Sequence, residues 1–390
     1  MRILLVHNAY QQFGGEDTTF LNEKALLEAA GHQVATLTFD NSAADTAAGK
    51  LGLLWRSIHN PASADRVRHA IAAHRPEVMH VHNFFYTASP AVFGAAKAMG
   101  VPTVATVQNY RLICAGAYLM REGKVCELCV QKTFPVYGVI HQCHRGSALA
   151  SAQLTLNTGL HKLRGTFQRE VDRFVVVTDF NRQKLLASSL RLAPGQVVVK
   201  PNSVEDLGMA PPEGRTGPYL FVGRLSAEKG IRTLLAAAAQ AGFPLEILGG
   251  GPLQGEVEAA AAAHGNITYL GFQPRAVILE KMRTAQALLF PSVWYEGLPL
   301  VICEALSTGL PVIISNLGNL NEIITDGQDG LWFTPGSADA LAHAVARFTN
   351  LDRGPLYEAA RQTYLRRYTA AQNLASLEAL YQSLQLQVKA

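Results

Sequence analysis

The chain has 390 residues, 48% of them hydrophobic and 16% charged, with a formal net charge of +4. That composition excludes a disordered chain, and so mild a charge gives no ground for a nucleic-acid partner. No apolar run reaches the roughly 18 residues a bilayer crossing requires, which excludes a spanning helix and leads us to expect a cytoplasmic location.

The opening run Arg2 to Val6 is too short for a secretory signal core and reads as a first strand, with Gly14-Gly15-Glu16 after it. Short apolar runs then recur at Val34 to Phe39, Val78 to Val81, Thr103 to Val107, Phe174 to Val177 and Val197 to Val199, separated by helix-like stretches. That alternation predicts a parallel sheet covered by helices. His80-Val81-His82-Asn83 ends one of the strands, where side chains are expected to open toward a ligand; a hydrogen-bonded core histidine is the plain alternative.

Cys114, Cys126, Cys129 and Cys143 lie within thirty residues of one another, while Cys303 falls in a predicted helix. In a cytosolic chain such grouping favours metal or redox chemistry over disulfides, and the C-x-x-C with two outer cysteines suits a structural zinc that staples a loop. His141 and His144 are alternative ligands, and inert buried thiols the plain reading. Ala148 to Arg173 reads as a helix bearing Lys162, Arg164, Arg169 and Arg173 against Glu170 and Asp172. A basic face of that kind can meet anionic lipid at the inner face of a membrane, and a solvated helix is the alternative.

Lys200-Pro201-Asn202 closes a first domain, 1–202, and the Pro-, Gly- and Glu-rich stretch 203–218 reads as a linker. The alternation restarts at Tyr219 to Val222, Leu245 to Leu248, Ile267 to Leu270, Ala287 to Phe290, Val312 to Ser315 and Leu331 to Phe333, which predicts a second doubly wound domain over 219–355. The tail 356–390 has apolar residues at helical spacing. In open sheets of this type ligands sit at the carboxyl ends of the strands, so a cleft between the domains is the expected site.

Glu296-Gly297-Leu298-Pro299-Leu300-Val301-Ile302-Cys303-Glu304 follows an apolar strand. Pro299 suits a helix start, and the free N–H groups and dipole there favour a diphosphate. Glu296 would stand at the mouth and Glu304 about one turn inside, placed to accept hydrogen bonds from sugar hydroxyls. Were the two carboxylates isolated, a role as dipole partners would be simpler. They are not: Gly223-Arg224-Leu225 and Lys229-Gly230 follow the first strand of this half, bringing two cations to one strand end, and Gly249-Gly250-Gly251-Pro252 lets backbone approach a ligand.

These elements together resemble the retaining family-four (group 1) glycosyltransferases, a likeness that extends to Gly14-Gly15-Glu16 and to Lys200-Pro201-Asn202. The resemblance implies a GT-B fold of two Rossmann-like domains and a UDP- or GDP-sugar donor. It implies Arg224 and Lys229 on the diphosphate, Glu304 on the ribose and Glu296 on the donor sugar, with Phe272 near the base. Main-chain contacts are implied from Gly15, Gly297 and Leu298, and further donor contacts at Asn202, Gly250, Leu300 and Val301. The acceptor would be a glycan or lipid-linked molecule, and the first domain its reader. Where many relatives carry a histidine, this chain has Gln108-Asn109. An amide cannot act as a general base, so Gln108 would serve catalysis by hydrogen bonding and the leaving diphosphate would take the proton.

No Asp-x-Asp occurs, so no carboxylate pair dedicated to a catalytic metal is expected. A nicotinamide oxidoreductase is the rival among enzymes, but Gly249-x-Gly251 continues to Gln254 where a third glycine is required. A non-catalytic sugar-binding module would not need Arg224 and Lys229.

Overall fold

The computed structural model describes residues 1–9, 14–41 and 55–389. They form two compact units, the first made of Met1–Tyr118, Cys126–Lys200 and Asn373–Ala390, the second of Leu119–Val125 and Pro201–Gln372.

The first unit is built on β1 (Arg2–Asn8), β2 (Gln33–Phe39), β3 (Val78–Asn83) and β4 (Thr103–Val107), followed after the short hairpin β5 (Met120–Arg121) and β6 (Lys124–Val125) by β7 (Arg173–Val176) and β8 (Val197–Val199). The sheet order is β2-β1-β3-β4-β7-β8 with every pair parallel. Residues Ile3 to Val6 are all buried, as a strand covered on both faces requires. Its described helices are α1 (Gly15–Ala29), α2 (Pro61–His74), α3 (Ala91–Ala98), α4 (Tyr137–Ile140), α5 (Ala148–Arg164), α6 (Thr166–Glu170) and α7 (Asp179–Leu186). The expected single helix from Ala148 to Arg173 is therefore three elements. Gly165 takes a left-handed conformation, φ 64°, that ends α5 and starts α6, and Arg173 already belongs to β7.

The second unit carries β9 (Tyr219–Val222), β10 (Leu245–Leu248), β11 (Ile267–Gly271), β12 (Leu288–Phe290), β13 (Val312–Ser315) and β14 (Gly330–Phe333) in the order β11-β10-β9-β12-β13-β14. All are parallel, and the direction of winding reverses between β9 and β12. Around them lie α8 (Ile231–Ala241), α9 (Gln254–Ala263), α10 (Arg275–Thr284), α11 (Leu300–Ser307), α12 (Ala338–Thr349) and α13 (Gly354–Arg367). On α8 the buried residues Ile231, Leu234, Leu235 and Ala238 repeat at three- and four-residue steps, one apolar stripe laid on the sheet.

The helical tail contains α13 and then α14 (Ala370–Lys389). From α14, Leu377, Leu380, Tyr381 and Leu384 enter the core of the first unit beside Ile3, Leu5, Phe20, Leu27 and Val78. The chain thus ends in the unit in which it began.

Candidate functional site

In the second unit the winding reversal sets the loops after β9 and β12 side by side, the position where open parallel sheets receive ligands. The loop after β9 runs through a short turn, Ala227–Lys229, to Gly230 at φ 70°. A Cβ at Gly230 would lie 1.9 Å from the Pro291 carbonyl oxygen, so only glycine lets the two loops approach. A main-chain bond from Val293 N–H to the Glu228 carbonyl (2.9 Å) locks them together. The β10 loop joins in the same way: Gly249, at φ 141°, passes so close to Gly223 that a Cβ would sit 1.9 Å from its carbonyl oxygen. Leu225 N–H donates to the Gly250 carbonyl at 3.0 Å.

This clamp brings Lys229 to Glu296, Nζ to Oε1 2.7 Å. The same carboxylate oxygen accepts from Ser292 Oγ (2.6 Å) and Trp294 Nε1 (2.8 Å), and Glu296 is buried. Lys229 Nζ lies over the Phe290 and Trp294 rings, 5.4 and 5.6 Å from their centroids. An ammonium has three donors, and Glu296 engages one of them. Arg224 stands exposed at the end of β9.

Pro299 is the N-cap residue of α11, with Leu300 and Val301, both half-buried, in its first turn. Leu298 is buried, and the Gly297 carbonyl accepts from Asn319 Nδ2. Glu304 is half-buried and bound by Arg275, whose Nε donates to Oε1 at 3.1 Å; burial nonetheless holds its carboxyl above the usual range. Phe272 is almost wholly exposed and Asn202 buried. Lys229 and Glu296 are thus brought into direct contact, while Glu304 is drawn to a partner that local spacing did not suggest. Ser292, Trp294, Asn319 and Arg275 were missed. Ser292 and Trp294 lie close to Glu296 in sequence, but Asn319 and Arg275 carry no local motif.

In the first unit, α1 is tied to the end of β1, where His7 Nε2 donates to Asp17 Oδ1 at 2.8 Å and Gly14 N–H donates to the other Asp17 oxygen at 2.9 Å. Gly15 is exposed in the first turn of α1. Both residues after β4 reach that turn: Thr19 Oγ1 lies 3.5 Å from Gln108 Oε1, and Asn109 Nδ2 donates to Glu16 at 2.7 Å. Deeper in, Lys200 pairs with Glu23 at 2.5 Å, and Glu23 lies 3.5 Å from His82 Nε2.

His82 does not open toward a ligand. It and His80, two residues apart on one strand face, point into the core against Phe20 and Tyr381. Burial pushes the His82 imidazole down to about 4, and His80 well below its usual value. His80 uses both ring nitrogens, on Tyr381 and Thr106 at 2.7 Å each. A side chain enclosed in this way cannot reach an acceptor hydroxyl, so of the two expectations for this strand end the core histidine is the one observed.

Burial, with Cys114, Cys143 and Cys126 nearby, pushes the Cys129 thiol up to about 11. None of the five cysteines is in a disulfide. Among the described residues, the group of three ligand-type side chains with atoms all within 4.8 Å of one another is Glu23, His80 and His82, not the cysteines. A zinc shell at the thiols would require them to close in. At Glu23 the lysine already neutralises the carboxylate, and the cluster reads as a buried ionic network.

Residues 213–364 match the family model for glycosyl transferases group 1, and residues 14–203 that for the glycosyl transferase 4-like domain. The chain is 33% identical over 135 residues to an uncharacterized glycosyltransferase of Methanocaldococcus jannaschii, covering 33% of this chain and 34% of that one. It is 28% identical over 225 residues to a glycogen synthase of Mycobacterium tuberculosis, covering 54% and 53%. The chain thus spans about a third to a half of these relatives. Among solved structures, the lipopolysaccharide outer core galactosyltransferase WaaB superposes with TM-score 0.67 at 18% identity over 98% of this chain and 100% of that one. Anabaena HepE in complex with UDP gives 0.67 at 17% over 97% and 99%.

Proposed function

The chain belongs to the group 1 glycosyltransferases of GT-B fold, and from that premise we propose that it transfers a sugar, with retention of anomeric configuration, from a nucleoside-diphosphate sugar to a glycan or lipid-linked acceptor. The observation that carries this reading is the Lys229–Glu296 pair at the winding reversal of the second sheet, 2.7 Å apart. Lys229 and exposed Arg224 meet the diphosphate, with the opening of α11 beside them. Glu296, held in place by three donors on one oxygen, addresses the sugar hydroxyls. Glu304 addresses the ribose and Phe272 the base.

As the glycosidic bond breaks, charge develops on the departing diphosphate, and fixed cations facing it lower the barrier. With an amide at Gln108, that diphosphate accepts the acceptor's proton. A UDP-sugar is supported by HepE, solved with UDP and with UDP-glucose. Acceptors in cell-surface polysaccharide or glycolipid synthesis are supported by similarity to the lipopolysaccharide 1,6-galactosyltransferase of Salmonella typhimurium, 27% identical over 190 residues. Catalysis proceeds without a divalent metal and inside the cytoplasm.

The test is a donor panel. UDP or GDP and their sugars raise the melting temperature, because a ligand that binds only the native state stabilises it. Transfer then persists in EDTA, and the product anomer read by NMR matches the donor's. A chain that no nucleotide stabilises and that transfers no sugar would sink the proposal.

A further inference from the structure

Helix α5 is built with its polarity reversed relative to water. Seven-residue steps, two helical turns, put Leu149, Leu156 and Leu163 on one face, and that face is outside: Leu149 is 76% and Leu163 69% exposed. Beside buried Leu154, the inward face carries polar side chains that bond main-chain carbonyls. Thr155 Oγ1 donates to the Pro135 carbonyl (3.1 Å), Asn157 Nδ2 to the Ser57 carbonyl (2.6 Å) and Lys162 Nζ to the Lys132 carbonyl (3.2 Å), while His161 Nε2 lies 2.8 Å from the Ile58 carbonyl. A helix that hides threonine, asparagine, histidine and lysine around a single fully buried leucine, while showing Leu149 and Leu163, is not shaped by water on its outer side.

Neighbours extend the apolar face on both flanks. On the side of Asn157 and His161 runs the segment from Trp55, whose indole is 68% exposed; on the side of Thr155 and Gly159 runs the chain from Phe134 to exposed Ile140. Within 128–169, every charged side chain other than histidine is basic. Arg145, Arg164 and Arg169 are exposed, as is Arg56 beside Trp55.

We propose that this face of α5 docks on the surface of an anionic lipid bilayer, with the leucines and Trp55 at the level of the headgroups and the arginines on lipid phosphates. Leucines flanked by tryptophan and rimmed by arginine are the composition of an interfacial helix, and attraction to anionic lipid supplies about 1 kcal/mol per cation. Of the cations expected from sequence to do this, Lys162 is buried and Arg173 lies in β7, so Arg164 and Arg169 remain. A second copy of the chain is disfavoured, because pairing two such faces would set arginine against arginine. The proposal does not depend on the glycosyl-transfer reading, since the probe is lipid alone.

The experiment floats the full chain with vesicles of phosphatidylcholine, with or without phosphatidylglycerol. The expected result is recovery with the anionic vesicles only, weakening as salt rises. Leu149→Ser/Leu163→Ser abolishes recovery, and Arg164→Ser/Arg169→Ser lowers it by about fivefold per arginine. All four side chains are exposed, so both variants melt like wild type. No flotation, equal flotation on both vesicles, or flotation untouched by the arginine variant would overturn the proposal. So would a dimer in solution that the leucine variant converts to monomer, which would give the face to a second copy.

Discussion

In the second unit Lys229 meets Glu296 with the lysine side chain still 21% exposed, whereas in the first unit Lys200 meets Glu23 at 2%. Chemically the pairs are alike, and both draw on residues near the carboxyl ends of strands. The difference is access. Lys200 is sealed with His82 and His80 beneath α1 and α14, so its charge is spent on Glu23 alone. Lys229 stays partly exposed at the end of its sheet, where an anionic ligand can reach it. A sealed pair maintains a fold, while an open one can act on a substrate.

The largest expected effect is on the sealed pair. Lys200→Met leaves Glu23 buried without its cation and lowers unfolding free energy by about 3–5 kcal/mol. Combining it with Glu23→Leu recovers most of that loss, because the orphaned charge is gone. Urea unfolding of the three variants checks this, and a single mutant within 1 kcal/mol of wild type, read against the usual cost, would remove the contrast.

Next comes the open pair, where the effect falls on rate. Lys229→Ala lowers turnover about a hundredfold to a thousandfold, with a smaller loss of stability than at the sealed pair, because Ser292 and Trp294 still donate to Glu296. Steady-state kinetics beside a melting curve separates the two, and the reverse pattern, normal turnover with a collapsed melt, would make Lys229 structural.

A third effect is a pH dependence of stability that belongs to the sealed region. His82 is held near 4 in the folded chain against about 6.5 unfolded. The unfolded state therefore binds more protons between those values, and stability present above pH ~6.5 is lost as pH falls toward 4. His82→Asn flattens the slope by up to about 3 kcal/mol across that window. Unfolding curves at several pH values report it, and an unaltered slope in His82→Asn would contradict the buried assignment.

The smallest effect distinguishes the two carboxylates of the open site. Glu304→Ala weakens binding of the bare nucleoside diphosphate by about tenfold, near 1.4 kcal/mol, whereas Glu296→Ala spares it and weakens the intact nucleotide sugar. Calorimetry with both ligands decides, and equal losses would merge their roles.

Much of this was legible in the chain itself, since alternating apolar runs need only their neighbours to become strands and helices. The twelve strands of the two sheets follow the runs closely. The glycines at the strand ends and Pro299 before α11 act within a few residues of their own position, so their meaning is local too. Contacts between distant residues were not legible. Glu23 and Lys200 are 177 residues apart, and Glu304 finds Arg275 across 29. The return of α14 to the first core depends on surfaces that do not exist until the sheet has formed. Helix α5 shows the limit most clearly, because its spacing states which residues share a face but not which face meets the protein. Burial of leucine would have turned it the other way. The tertiary structure decided otherwise, by supplying carbonyl acceptors for its threonine, asparagine, histidine and lysine on the inner side and leaving Leu149 and Leu163 exposed.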